Sequence, residues 1–411
     1  MATLRSGLLF ALCCGGLPAQ APPAWRSVPV AAVDAVVFAL RWAHGFDGDA
    51  PDESGAAAAV AEYRLARARR AVPDVLASGA TVAADATVVH VLVPATAADR
   101  GLAFCRALLD DAQPVDADLA AVAIARTALA ADDADGVYPG PVLAGSARRA
   151  LLTGGGARGV AGSAAAIQAL TPARLQQLLA APVAVHGIVL GACGADGCGA
   201  AAALPLPTVV PGAAPPSAVR SAPPAAAAAQ PHRLADGPIV ALAFAVPGGT
   251  APAAFALAVE VARQRAARAL PLQGREGIAR APLVTWSGLH GDPVLVFCRR
   301  GPNGTEPAAA FAELDALVAD LRARPPTAAE LDTARRSLRA ELGLSPLPPG
   351  TDGAALPGRA VALLLAELRS VDEAALDAVT PAAAQAALAA VVEPRRAFRG
   401  ALVPARSAAS R

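Results

Sequence analysis

Residues 170–193 read LTPARLQQLLAAPVAVHGIVLGAC, and residues 379–403 read VTPAAAQAALAAVVEPRRAFRGALV. Each begins with a threonine suited to cap a helix, Thr171 and Thr380. A proline follows at the first helical position, where its missing N–H costs nothing. Each continues as an alanine- and leucine-rich helical stretch, breaks at a proline (Pro182, Pro394), and ends in a short apolar run that reads as a strand. One helix–strand unit therefore occurs twice, 209 residues apart.

Working outward, other elements recur in the same order. VVFALRW from Val36 and IVALAFAV from Ile239 are short apolar runs followed by glycine-containing turns. TVVHVLVPA from Thr87 matches PVLVFCRRG from Pro293, an offset of 206, and a helical stretch follows each. Between the copies, residues 204–233 are rich in proline and alanine. Proline fixes φ and removes a donor, so this tract reads as a linker. These observations predict an α+β protein of two homologous halves, each a mostly antiparallel sheet with helices packed on one face. The expected bounds are 30–203 and 236–405, joined through 204–235.

The 411 residues carry 35 basic and 34 acidic side chains, and the sequence contains no lysine. A formal net charge of +1 gives no reason to expect nucleic acid as a partner. Residues 1–21 read as a secretory signal: Arg5, then GLLFALCCGGL, then the small residues Ala19 and Ala21. The expectation is a secreted or periplasmic protein with no membrane span after signal removal. Cys193 and Cys198 could close a small loop in an oxidising compartment or stay as free thiols; their spacing does not suit a zinc knuckle. Gly154, Gly156 and Gly159 form a G-x-G-x-x-G without the acidic residue of a dinucleotide site, and read as a loop. DGDAPDES, from Asp47, reads as a solvated turn capping the next helix, and His44 beside Trp42 as a strand-end residue in preference to a pocket-lining one.

Several stretches together resemble the insulinase and mitochondrial-processing-peptidase family of inverted-zincin metallopeptidases. GFDGDAPDESGAAAAVAEY is similar to the family's first strand exit and zinc helix, and LASGATVAADATVVHVLVPA to its G-x-x-x-N-A-x-T-x-x-D-x-T strand pair. PPTAAELDTARRSLRAEL, 325–342, is similar to its T-x-x-E-L-x-x-A-K helix. The resemblance covers about residues 30–405. It implies two halves facing each other as a clamshell around a chamber for extended peptides.

In active members of that family a helix carries H-x-x-E-H. Two histidines four apart share one helical face and bind zinc, and the glutamate activates a water. Counting from Gly55, the family register places those positions at Ala58, Ala61 and Glu62. Sliding by one gives Ala59, Glu62 and Tyr63. No glutamate occurs between Glu62 and Glu260, so the downstream ligand is missing; Asp132 to Asp135 offer only carboxylates of aspartate. The family's substrate-holding Arg and Tyr fall at Gln273 and Arg280. The resemblance thus implies the scaffold of a zinc peptidase with a degenerate site. Zinc is expected in active relatives but no cofactor here. The implied role is a non-catalytic structural or partner subunit, or a peptide-binding chamber, paired with a catalytic family member or with a second copy. The alternative is a zinc metalloendopeptidase with displaced ligands.

Overall fold

The structure is a computed structural model. It describes residues 25–30, 33–49, 53–110, 139–153, 166, 169–180, 184–192, 204–207, 229–232, 237–269, 284–285, 294–348 and 351–405. The expected signal, Asp132–Asp135, the 154–159 glycines, Cys193, Cys198, Gln273 and Arg280 lie outside the described residues.

The first sheet holds β1 (Trp25–Pro29), β2 (Ala35–Trp42), β3 (Ala77–Val82), β4 (Thr87–Pro94) and β5 (Val185–Gly191), in the order β1-β5-β2-β4-β3. The second holds β6 (Gln230–His232), β7 (Ile239–Ala245), β8 (Val284–Thr285), β9 (Val294–Arg300) and β10 (Phe398–Pro404), in the order β6-β10-β7-β9-β8. The two orders correspond strand for strand. In each, the first strand pairs parallel with the last and all other pairs are antiparallel. The chain is α+β, with two matching halves.

Strand β1 precedes residue 30 and still pairs in the first sheet. Strand β6 lies inside the stretch read as linker, as do Leu204 and Leu206, which are buried in the first half's core. The edges of the proline-rich tract therefore serve the two halves, and residues 208–228 of it lie outside the described residues.

Each half supplies helices to one face of its own sheet. In the first these are α1 (Ala56–Ala71) and α2 (Ala98–Leu109), packed on Val36, Phe38, Leu40, Val89 and Val91. Gly101 sits so close to β2 that a Cβ there would stand 2.3 Å from the Phe38 ring. The second half uses α5 (Pro252–Ala269), α6 (Pro307–Ala323), α7 (Ala328–Glu341) and α10 (Pro381–Val391) around Leu242, Phe244, Leu295 and Phe297. The threonine caps hold: Thr171 accepts from the Arg174 N–H, Thr380 from that of Ala383, and Thr327 forms a capping box with Glu330.

The opposite face of each sheet receives a helix from the other half, a feature the sequence reading did not contain. Numbering the remaining helices in chain order, α3 spans Pro139–Leu151, α4 Pro172–Ala180, α8 Leu356–Leu368 and α9 Glu373–Asp377. Helix α8 lays Leu356, Ala360, Leu363 and Leu364 on Val37, Ala39, Ile188 and Leu190 of the first sheet. Helix α3 lays Leu143, Ala147 and Leu151 on Ile239, Ala241 and Val296 of the second. Both sheets are thus covered on both faces, which is why β2 is buried at all eight positions rather than at alternate ones. Polar contacts lock the exchange. Arg41, 4% exposed, donates to the Leu364 carbonyl at 2.7 Å, and Arg369 pairs with Asp85 at 2.5 Å.

Candidate functional site

The helix that resembles a zinc helix is α1. Its entry is fixed by one buried carboxylate. Asp49 Oδ2 accepts the Gly55 N–H at 2.8 Å and Oδ1 the Ala57 N–H at 2.9 Å. Gly55 adopts φ 97°, a left-handed conformation that a β-carbon would disfavour, and turns the chain into the helix. The stretch from Asp47 does cap the helix, but Asp49 is 6% exposed instead of solvated. Burial raises its carboxyl to about 7 against the lowering effect of the three backbone N–H groups; the charge of Glu53 adds to the rise. Glu53 is itself paired with Arg174 of α4 at 2.5 Å.

Beyond this entry, Ala57, Val60, Ala61 and Arg64 share one face of α1, at i, i+3, i+4 and i+7. They border an apolar cavity of ≈ 50 Å³ whose other walls are Trp42, His44, Thr87, Val89 and Leu178. The Arg64 guanidinium lies 4.9 Å from the Trp42 ring centroid and donates to the Leu179 carbonyl. His44 lines this cavity rather than merely ending a strand. Its Nε2 stands 3.9 Å from Asp49 Oδ1, and Thr87 Oγ1 donates to its carbonyl. Burial, then the charge of Arg64, pushes the His44 pKa down, so the ring favours its neutral form.

The expected motif positions are distributed around this helix. Ala61 borders the cavity. Ala59 and Tyr63 pack instead against Leu175 and Leu179 of α4, and Ala58 is 2% exposed. Glu62 is half-buried. The face with the spacing of H-x-x-E-H that borders the cavity is thus Ala57, Val60 and Ala61, one residue ahead of the first register considered. None of the three carries an atom that can ligate a metal or move a proton. A catalytic zinc needs three protein ligands. Of the groups that commonly ligate zinc, the cavity wall has one imidazole, His44, with one carboxylate, Asp49, beside it, and that carboxylate is held by backbone N–H groups, so they do not fit the ion. Among the described residues no group of three or more His, Cys, Asp or Glu could hold a metal. His90 and His186 lie on the opposite face of the sheet, and Cys105 and Cys298 are buried free thiols, one in each half. Sequence reasoning missed Asp49 as a buried group and preferred a strand-end reading of His44 to the pocket-lining one. The signal available was local, a single aspartate six residues before the glycine that opens a helix.

No family profile matches the sequence, and no curated protein is similar to it. Solved structures are. A protease from Helicobacter pylori superposes with TM-score 0.69 at 14% identity over 92% of this chain and 96% of that one. A peptidase M16 inactive domain from Pseudomonas fluorescens gives TM-score 0.64 at 16% identity over 92% and 95%. The chain has the fold of the M16 peptidases. A chain of the complex III assembly from Candida albicans has it too, with TM-score 0.67 at 12% identity over 92% of this chain and 93% of that one. The M16 likeness is one of fold, and it is shared by a protease, by an inactive domain and by a chain of a larger complex.

Proposed function

We propose that this M16-like chain is non-catalytic and serves as a structural or partner subunit, or as a peptide-binding chamber, in an exported compartment. One observation carries the reading. The face of α1 that borders the cavity, at the spacing a zinc motif requires, presents Ala57, Val60 and Ala61. Support comes from the likeness to an inactive M16 domain and to a chain that works within a larger complex. The Glu-free stretch between Glu62 and Glu260, with glutamine and arginine at 273 and 280, points the same way. The proposed partner is a catalytic M16 chain or a second copy of this one. No helix among the described residues is long and apolar enough to cross a membrane, which accords with a partner met outside the bilayer.

The test is elemental analysis of protein purified without a metal-binding tag, together with cleavage of a mixed fluorogenic peptide library. The expected results are no stoichiometric zinc and no chelator-sensitive cleavage. About one tightly held zinc per chain, or cleavage that a chelator abolishes, would establish a metallopeptidase with displaced ligands instead. Affinity purification from the native host then identifies the partner. Co-elution of a chain with an intact H-x-x-E-H is the expected outcome for a heterodimer.

A further inference from the structure

Residues 301–306, GPNGTE, join β9 to α6. Asn303 is the only asparagine among the 411 residues, and a glycine follows it. Residues 302–305 make a turn, closed by the Thr305 N–H on the Pro302 carbonyl at 3.3 Å, beyond the usual range of such a bond. Gly304 takes φ 76° in it, a value that glycine adopts without strain. Asn303, Gly304 and Thr305 are all exposed. The turn is tied to the segment before β7, because the Gly301 N–H donates to the Pro238 carbonyl at 2.7 Å.

This pair sets an electrophile beside a nucleophile. A bond from the Gly304 backbone nitrogen to the side-chain amide carbon of Asn303 closes a five-membered ring, the least strained that a side chain and its own backbone can form. Three features leave the closure free. Glycine has no β-carbon, and one built on Gly304 would meet nothing within 4 Å, so the space around the nitrogen is open. The Gly304 N–H donates to no acceptor among the described residues, so no bond has to break before the nitrogen gives up its proton. No hydrogen bond among the described residues holds the Asn303 amide away from it. By contrast Gly48, which follows Asp47 in the first half, donates its N–H to the Gly45 carbonyl at 3.1 Å.

We propose that Asn303 is a modification site at which the folded chain deamidates itself, with water as the sole co-reactant, to aspartate and isoaspartate. The Gly304 nitrogen passes its proton to water and bonds to the Asn303 amide carbon. The bond from that carbon to Nδ2 breaks, and Nδ2 leaves as ammonia. Water then opens the cyclic imide at either carbonyl, so the balance is one water taken up and one ammonia released. Opening at the former backbone carbonyl gives isoaspartate, which runs the chain through the side chain and lengthens it by one carbon. The effect falls on the tie to β7. Asn303 Oδ1 and the carbonyls of Gly301 and Pro302 crowd Gly237, at 3.2, 2.6 and 3.1 Å from where a β-carbon would stand. A carboxylate at Asn303 adds charge to that group of oxygens, and the extra backbone atom stretches the Pro302–Thr305 closure. No residue of α1 takes part, so the proposal holds whether or not the chain proves catalytic.

The test is to age the full chain in neutral buffer at physiological temperature and digest it after arginine, which releases residues 301–322 as one peptide. That peptide is expected to gain the mass of an amide turned acid and to split into two chromatographic species, one of them a substrate for isoaspartate methyltransferase. The synthetic peptide GPNGTE sets the unrestrained rate. The folded chain is expected within about ten-fold of it, which allows the turn to add no more than about 1.4 kcal/mol to the barrier. Asn303→Gln, at an exposed position, keeps the amide but cannot close the five-membered ring, and should hold its mass over the same period. Hydroxylamine, which cleaves the imide, should cut the parent between residues 303 and 304 and leave the variant whole. An unchanged mass in the parent, conversion slower than that limit, or an equal gain in Asn303→Gln would each overturn the proposal. So would a glycan on Asn303 in protein from the native host, for which N-G-T is also an acceptor pattern, because a substituted nitrogen cannot leave as ammonia.

Discussion

Asp49 shows how one side chain can set both a helix entry and a pH response. Its carboxyl is raised to about 7 by burial, whereas an aspartate in an unfolded chain titrates near about 3.9. The folded state therefore holds the proton more tightly between those values. The contribution to stability is full below about pH 4 and is lost as pH rises through 7. Asp49→Asn, which imitates the protonated form, should flatten this part of the profile. Melting temperatures between pH 5 and 8 are expected to fall with pH in the parent more steeply than in the variant; parallel curves would contradict this assignment. Glu330 has the opposite sign. The hydrogen bond from Arg265, the largest cause, holds its carboxyl down at about 2, so its contribution is present above about 4.5 and is lost as pH falls through 2. Arg265 is 7% exposed and also holds the Arg324 and Pro325 carbonyls, tying α5 to the start of α7. Glu330→Ala leaves that buried guanidinium without its anion and should cost about 3 kcal/mol, readable as a lower urea midpoint.

Helix α1 illustrates what local sequence can and cannot convey about an element. Its start and the lack of histidine are legible, because they are written in the residues from Gly55 to Tyr63 themselves; its end at Ala71 was not read. The capping threonines 171 and 380 were legible for the same reason. The face that borders the cavity was not, because it depends on how α4 and the ends of β2 and β4 close around the helix. Two expected registers, beginning at Ala58 and Ala59, fell one and two residues past it. The packing also predicts the outcome of rebuilding the motif. With Ala58→His, Ala61→Glu and Glu62→His together, two of the new polar groups replace alanines that are 2% and 1% exposed. Overpacking and unpaired burial cost about 1–3 kcal/mol at each such position. The triple variant should melt well below the parent and show no chelator-sensitive peptide cleavage in added zinc. A stable, zinc-dependent peptidase would mean that this face of α1 is far more open than the structure shows.

At the scale of the whole molecule, the two sheets are built from their own halves and finished by each other's. That the two halves match was legible from the ordered matches at offsets of 206 and 209; the strand order within each sheet was not, and neither was the helix exchange. Its traces are visible in hindsight: β2 and β7 are apolar without alternation, and α8 is apolar nearly all round, with nine buried residues. Periodicity reports that a surface is covered, but not by which part of the chain. Neither half should therefore be stable alone. A fragment of residues 25–207 would bare Val37, Ala39, Ile188 and Leu190, and one of 229–405 would bare Ile239, Ala241 and Val296. Expressed separately, each is expected to aggregate or to bind a hydrophobic dye; co-expressed, they should assemble into a soluble pair. A monodisperse, cooperatively melting single fragment would refute this interdependence.

The crosswise helices also impose an order of events on synthesis. The first sheet has all five of its strands once residue 191 has been made, yet the helix that seals its second face begins at Leu356. At about 5–20 residues per second, the unfinished face waits roughly ten to thirty seconds for its cover. Helix α3 waits in turn for the strands it will lie on. Such long sequence separations make closure late and slow. The nascent chain must therefore spend an interval with its first sheet half-clad and α3 without its sheet, in which chaperone capture competes with self-association.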